Sequence, residues 1–121
     1  CLSEDEILTT IKTCFNETGY LLDTHTAIGY GVLKQYQQET GDHTKTVLLS
    51  TASPYKFPES VYQAIYGEEL DVYTAIDKLS EKTGVPVPQA LAGIKEREVL
   101  HKEAIDKTEI ISFIKSEIEA M

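Results

Sequence analysis

Residues 48–61 read LLSTASPYKFPESV, and they hold the most informative pattern in this chain of 121 residues. An apolar run ends at Leu49, and small hydroxyl residues, a proline and a lysine follow it directly. The run is too short for a buried helix and is typical of an interior strand of a parallel sheet. Open α/β sheets bind ligands outside the carboxyl ends of their strands. The pattern therefore predicts a strand over residues 45–49 and a binding site just after it.

Three hydroxyl side chains follow the predicted strand, those of Ser50, Thr51 and Ser53. They could contact a ligand, or they could cap the next helix or satisfy the turn, which serine and threonine do routinely. Lys56 could offer a point charge to a phosphate group, although a lysine in a loop is more often only solvated. The residue types alone leave these alternatives open.

Two helices are predicted upstream of this stretch. A capping box over residues 3–6 starts a helix that ends at Gly19. Asp23 or Thr24 can then cap a second helix that reaches toward Gly41. Small residues near the start of the second helix lower its intrinsic stability, and close approach to a sheet or a ligand would compensate.

Three more helices are predicted downstream. Pro58 suits the first turn of a helix that Gly67 stops, and Asp71 can cap a helix that closes near Gly84. Thr108 can cap a final helix with isoleucines spaced by four residues, a stripe that favours core packing over a binding face.

Strands are scarce in this pattern. Residues 45–49 give one strong candidate and residues 20–22 a weak one, which is too few for a self-sufficient sheet. The predicted fold class is therefore α/β, mostly helical, with one or two strands that belong to a larger parallel sheet. The chain reads as an excised piece of a longer protein.

Composition narrows the function classes. No apolar run approaches the roughly 20 residues that span a bilayer, so we expect no membrane segment. The net charge of −9 would repel a phosphate backbone, so we expect no nucleic-acid partner. Cys1 and Cys14 are too few for a disulfide framework, which favours free thiols and a cytoplasmic location.

The chain has three histidines, at positions 25, 43 and 101. Asp23 and His25 could act as an acid/base pair, but helix capping with a packed histidine is the favoured interpretation. His43 and His101 have no neighbours at metal-ligand spacing, so no metal site is predicted.

Three strings in this order carry a resemblance to a known family: GYLLDTHTAIGY at 19–30, LLSTASPYKFPESV at 48–61 and AIYGEEL at 64–70. Together they resemble the C-terminal part of threonine synthase, a pyridoxal-phosphate-dependent family of fold type II. The likeness continues more loosely through most of the remaining chain. The family commonly has proline where Thr24 stands and often histidine where Ser53 stands, and the second departure bears on substrate contacts.

The resemblance implies a site and a reaction. Thr51 would contact the pyridine nitrogen of pyridoxal phosphate with Ser50 beside it, and Ser53 and Lys56 would contact the substrate. The family converts O-phosphohomoserine and water to L-threonine and phosphate. Its Schiff-base lysine lies upstream of the matching strings, and its Gly-rich phosphate loop has no counterpart among the singly scattered glycines of this chain. No catalytic residue is therefore assigned here, and the chain alone is expected to be inactive.

The resemblance also implies an organisation. Residues 1–70 would end the α/β cofactor domain, and residues 71–121 would form a helical C-terminal extension packed on it as one compact unit. The expected partner is the remaining N-terminal part of the same enzyme. Because a piece cut from a sheet exposes an unpaired strand edge, the isolated piece is expected to self-associate. Two alternatives stay open: a catalytically dead threonine-synthase-like protein, and a stand-alone helical module that binds another protein.

Overall fold

The structure, a computed structural model, describes residues 2–100 and 102–120, so Cys1 and His101 lie outside the described residues. The described part forms five α-helices and two 3₁₀ turns. The helices are α1 (Glu4–Thr18), α2 (Thr24–Thr40), α3 (Pro58–Tyr66), α4 (Val72–Thr83) and α5 (Ile110–Glu119), and the turns are Pro54–Lys56 and Ile94–Glu96. None of the helices described is long and apolar enough to cross a membrane.

The ends of the first four helices lie where the sequence predicts them. Ser3 and Glu6 form the reciprocal capping box of α1, and Asp23 and Asp71 cap α2 and α4 through their side chains. A glycine with positive φ ends each of these helices, as at Gly19, because glycine adopts the left-handed conformation without a Cβ penalty. The final helix begins at Ile110 rather than beside the predicted cap at Thr108.

The strand predictions are wrong, and the predicted α/β class is corrected to an all-helical fold for the described residues. Residues 45–49 are irregular, with Val47 82% and Leu49 78% exposed. Leu21 and Leu22 are buried, but they lie in the short connection between α1 and α2. A strand needs a neighbour for its backbone hydrogen bonds, and in the described part neither segment has one. The short apolar run is therefore buried at Leu21 and Leu22 but exposed at residues 45–49, and it marks a strand in neither place.

One apolar core joins the first four helices. α1 packs against both α2 and α3, and α3 packs against α4. Ile11, Val61, Ala75 and Leu79 are fully buried at its centre. The core thus includes side chains from both sides of residue 70, while the division of the chain at that residue stays a prediction.

Close approach explains two of the small residues in α2. A Cβ added at Gly29 would lie 2.9 Å from Leu48 Cδ1, and one added at Gly31 would lie 2.5 Å from Leu2 Cδ1. The neighbours are side chains from a loop and from the segment before α1. The predicted crowding is confirmed, and its described source is these two leucine side chains rather than a sheet.

The isoleucines of α5 do not pack in the core described above. Ile110, Ile111, Ile114 and Ile118 are 45%, 71%, 50% and 65% exposed, and α5 has no buried residue. The expectation that this stripe packs in a core is not met within the described residues. An amphipathic helix that stands open in this way leaves an apolar face free for another surface.

Tyr55 ties the first 3₁₀ turn to the end of α4. Its side chain is 2% exposed, and its hydroxyl donates to the Val85 carbonyl, which also accepts from Ser80 Oγ at 3.1 Å. We expect Tyr55→Phe to lower the free energy of unfolding by about 1 kcal/mol, the net value of one such bond. Urea unfolding measures this, with Tyr20→Phe at a 55% exposed position as the control. Equal losses in the two variants would contradict the role given to the Tyr55 hydroxyl.

Candidate functional site

The candidate site lies on the linking segment, residues 41–53, which joins α2 to the first 3₁₀ turn. Its beginning is held by Asp42, whose carboxylate accepts from Thr44 N at 2.8 Å, Thr44 Oγ1 at 2.6 Å and Tyr36 Oη at 3.0 Å. The two hydrogen bonds from Thr44 lower the pKa of Asp42 most, and the hydrogen bond from Tyr36 lowers it less. The segment therefore leaves α2 in a defined direction.

Two contacts hold the far end of the linking segment against α2. Leu48 lies over Gly29, where the missing side chain leaves room for it. Two residues later, Ser50 Oγ lies 3.2 Å from Thr26 Oγ1. The part of the segment that enters the candidate site is thus fastened to the first turns of α2.

Asp23 organises the N-terminus of α2. Its side chain is 1% exposed and accepts from His25 N at 2.8 Å and Thr26 N at 3.2 Å, while Thr26 Oγ1 donates to its second oxygen. The first two bonds satisfy backbone donors that have no partner inside the helix. The prediction that Asp23 or Thr24 caps this helix is confirmed for Asp23.

His25 packs beside this cap. Its ring lies 4.9 Å from the Phe57 ring between centroids, and its Nδ1 lies 3.5 Å from Asp23 Oδ1. The favoured interpretation is confirmed for the capping aspartate, whereas the His25 side chain is only partly packed, since it is 62% exposed. In the part of the chain that is described, no group of three or more His, Cys, Asp and Glu side chains is arranged to hold a metal ion.

The four predicted site residues lie in different environments on the linking segment and the turn that follows it. Thr51 is exposed, and its side chain makes no hydrogen bond to any described residue. Ser50 is exposed and lies 3.4 Å from the Ala52 carbonyl as well as near Thr26. Ser53 Oγ accepts from Tyr55 N at 3.3 Å and so caps the 3₁₀ turn, and Lys56 is exposed at the end of that turn. Of the three hydroxyls, that of Thr51 is the one without a hydrogen bond to a described residue.

A cleft of about 270 Å³ opens beside Ser50. Its walls come from α1, from the connection to α2, from α2 itself and from the linking segment, and they include Cys14, Thr26, Tyr30 and Leu48. The lining is mainly apolar, and Cys14 is a buried free thiol. Of the four predicted site residues, Ser50 is the one that lines this cleft.

Thr26 was not singled out from the sequence. Its place three residues after a capping aspartate marks a residue of the first helical turn, which is a local signal. Its contact with Ser50 joins residues 24 positions apart, and no spacing rule predicts such a contact. The tertiary structure alone identifies this residue as part of the site's support.

Comparison with known proteins gives the chain a family context. Residues 26–114 match the family described as "Threonine synthase, C-terminal". The chain is 32% identical to mouse "Threonine synthase-like 1" over 100 residues, covering 79% of this chain and 13% of that protein. It is also 36% identical to "Threonine synthase" of Pseudomonas aeruginosa over 67 residues, covering 55% of this chain and 14% of that protein.

A third relative is "Threonine synthase" of Haemophilus influenzae, 40% identical over 79 residues and covering 64% of this chain and 17% of that protein. The chain therefore spans 13% to 17% of the length of these three relatives. The matched range includes Thr26 and the whole linking segment.

Proposed function

The chain belongs to the threonine synthase C-terminal family, and from this premise we propose that it forms the C-terminal portion of a complete threonine synthase. The complete protein would convert O-phosphohomoserine and water to L-threonine and phosphate, as the resemblance implies. The observation that carries the proposal is the free, exposed Thr51 hydroxyl on an anchored segment inside the matched range. Pyridoxal phosphate is the proposed cofactor of the complete protein, and its cytoplasmic location stays a prediction.

The Thr51 hydroxyl is a suitable hydrogen-bond partner for a neutral ring nitrogen. When bound, pyridoxal phosphate supplies an electron sink that stabilises carbanions of amino-acid substrates. The Thr51 hydroxyl can donate to or accept from a ring nitrogen, because it is not committed to any described residue. A neutral hydroxyl forms no ion pair with that nitrogen, so it tunes the ring differently from a carboxylate. Ser50, the next residue, would shape the edge of the same site.

Ser53 and Lys56 are the proposed substrate contacts. Ser53 Oγ accepts from Tyr55 N and keeps its own proton, which it can donate to a substrate oxygen. Lys56 follows on the same turn, is exposed, and forms no ion pair with the described residues. Its ammonium group is free to attract the phosphate group of O-phosphohomoserine.

Replacing Lys56 by alanine in the complete protein is expected to raise KM for O-phosphohomoserine about tenfold, the value of one charge-assisted hydrogen bond. The kcat should change less, because Lys56 would bind the phosphate rather than the ring. Lys45→Ala, at an exposed position of the linking segment, is the matched control. Steady-state kinetics of both variants measure the effect, and equal KM values in the two would count against a substrate contact by Lys56.

The linking segment also offers a surface for the rest of the enzyme. Val47 and Leu49 are 82% and 78% exposed on either side of Leu48, which lies against α2. Exposed neighbouring apolar side chains of this kind are usually covered by another surface. We assign that cover to the N-terminal part of the same enzyme, because the chain spans only 13% and 14% of two of its relatives.

Self-association of the isolated chain remains expected, for a changed reason. With no strand in the described residues, a bare sheet edge no longer motivates it. Val47, Leu49 and the exposed isoleucines of α5 now do, since they would bury apolar area between copies.

The decisive experiment uses the complete protein encoded by the native reading frame. Purified complete protein should show the absorption of bound pyridoxal phosphate and release phosphate and threonine from O-phosphohomoserine. The 121-residue chain should do neither by itself. A complete protein that binds the cofactor without turnover would be a dead threonine-synthase-like protein. A complete protein that binds no cofactor would overturn the proposal.

The second candidate is a helical protein-interaction module, which the exposed isoleucines of α5 favour. A module of this kind would be monodisperse and would unfold cooperatively as the isolated chain. Size-exclusion chromatography with light scattering, followed by urea unfolding, separates it from a piece that aggregates without the rest of its enzyme.

A further inference from the structure

Three side chains in contact connect the buried start of α2 with the candidate site: those of Asp23, Thr26 and Ser50. Thr26 Oγ1 donates to Asp23, whose carboxylate can only accept. A hydroxyl carries a single proton, so in the 3.2 Å contact between Thr26 and Ser50 the Ser50 hydroxyl must be the donor. Asp23 thereby orients Thr26, and Thr26 in turn orients Ser50.

The spacing of the contacts shows how these hydrogen-bonded side chains anchor the linking segment. Thr26 and Gly29 are three residues apart on α2 and share one face of the helix. Their partners, Ser50 and Leu48, are two residues apart on an irregular segment. Two matched contacts, one polar and one apolar, therefore fasten the segment along a single helix face. Thr51 is the first residue beyond this double attachment.

We propose that Asp23 and Thr26 are positioning residues that hold Thr51 in place for the cofactor, acting through Ser50. The inference rests on the proposed function, since it concerns the hydroxyl assigned there to the ring nitrogen. Without the anchor, an exposed segment lacking regular structure would sample many conformations, and binding would bear the cost of ordering it. With the anchor, Thr51 follows a residue whose side chain is already fixed.

The direction of the hydrogen bonds assigns different roles to the two neighbouring hydroxyls. The single Ser50 proton is shared between two acceptors of the chain, Thr26 Oγ1 at 3.2 Å and the Ala52 carbonyl at 3.4 Å, so Ser50 can accept from a ligand but has no free proton to donate. The Thr51 proton is uncommitted in the described part of the chain. Of these two neighbouring hydroxyls, Thr51 is therefore the one that can donate to a ring nitrogen.

The test uses Thr26→Val in the complete protein, because valine keeps the shape of threonine and removes its hydroxyl. Thr26→Ser, which retains the hydroxyl, is the rescue variant. Thr10→Val is the matched control, since Thr10 Oγ1 donates only to the Glu6 carbonyl of its own helix, at 2.7 Å. Two quantities are measured: the affinity for pyridoxal phosphate by fluorescence titration, and the rate of tryptic cleavage after Lys45 without cofactor.

Thr26→Val should weaken cofactor affinity and speed cleavage after Lys45, each by about fivefold, as expected for the loss of one hydrogen bond. Thr26→Ser should restore both, and Thr10→Val should change neither. Thr26→Val values equal to those of Thr10→Val in either measurement would overturn the proposal. Ser50→Ala should speed cleavage by the same factor and add nothing in the double variant, because both changes break one contact.

These readouts separate the inference from the proposed function. If the wild-type complete protein binds no pyridoxal phosphate, the proposed function fails, and cleavage after Lys45 alone tests the anchor. If Thr26→Val does not fold, Ser50→Ala replaces it in the test, because Ser50 is the exposed partner in the same contact. Cleavage of Ser50→Ala at the wild-type rate would then overturn the proposal.

Discussion

Replacing Thr51 by valine in the complete protein is expected to lower kcat/KM by about a hundredfold, the scale found when one polar group that stabilises developing charge is removed. Valine matches threonine in shape but leaves the ring nitrogen without a hydrogen-bond partner. Because Thr51 is exposed and bonds to no described residue, the substitution should leave the folded chain intact. Steady-state kinetics and the absorption spectrum of the bound cofactor measure the effect.

Thr51→Ser provides the matched control, since serine keeps the hydroxyl and loses only a methyl group. It should retain most of the turnover and a near-normal spectrum. If Thr51→Val also kept normal turnover and spectrum, Thr51 would have no contact with the ring nitrogen, and the site would have to be sought elsewhere on the linking segment.

Replacing Asp23 by alanine is expected to lower the free energy of unfolding by about 3 kcal/mol. The change removes the cap of α2 and also leaves the buried Thr26 hydroxyl without its acceptor. The side chain is 1% exposed, so water cannot readily replace the lost bonds. Urea unfolding of the 121-residue chain, followed by the helical circular dichroism signal, measures the loss.

Asp71→Ala is the control for Asp23→Ala. Asp71 caps α4 through the same pair of backbone bonds, to Tyr73 N at 3.1 Å and Thr74 N at 3.2 Å, but it is exposed. Water can solvate the donors it would leave, so its loss should be clearly smaller. Asp23→Asn should also cost less than alanine, because asparagine caps helices as well as aspartate does. Similar losses for Asp23→Ala and Asp71→Ala would show that burial adds nothing at Asp23.

Local chemistry explains why the helices could be predicted so closely. A capping box, an aspartate cap and a terminal glycine each act within a few residues, so their signals are complete in the sequence. Ser3 with Glu6, Asp23 and Asp71 all take the roles that the pattern indicates. The final helix shows the limit, because α5 begins at Ile110 without a side-chain cap.

The residues proposed for the candidate site can be picked out from the sequence, but the residue that supports one of them cannot. Ser50, Thr51, Ser53 and Lys56 stand out in the sequence because hydroxyls and a lysine follow an apolar run, and the match to the threonine synthase C-terminal family covers all four. Their contacts with a cofactor and a substrate stay predictions. Thr26, which holds Ser50, gives no comparable signal.

The amino-acid sequence was thus sufficient for the boundaries of α1 to α4 and for membership of the family, because caps, stops and motifs depend on neighbouring residues. It was insufficient for the fold class, since the apolar run over residues 45–49 looks the same whether or not strands lie beside it. Pairing, burial and the contact between Thr26 and Ser50 depend on groups distant in the chain. Such contacts exist only once α1, α2 and α3 have packed and placed the linking segment against α2.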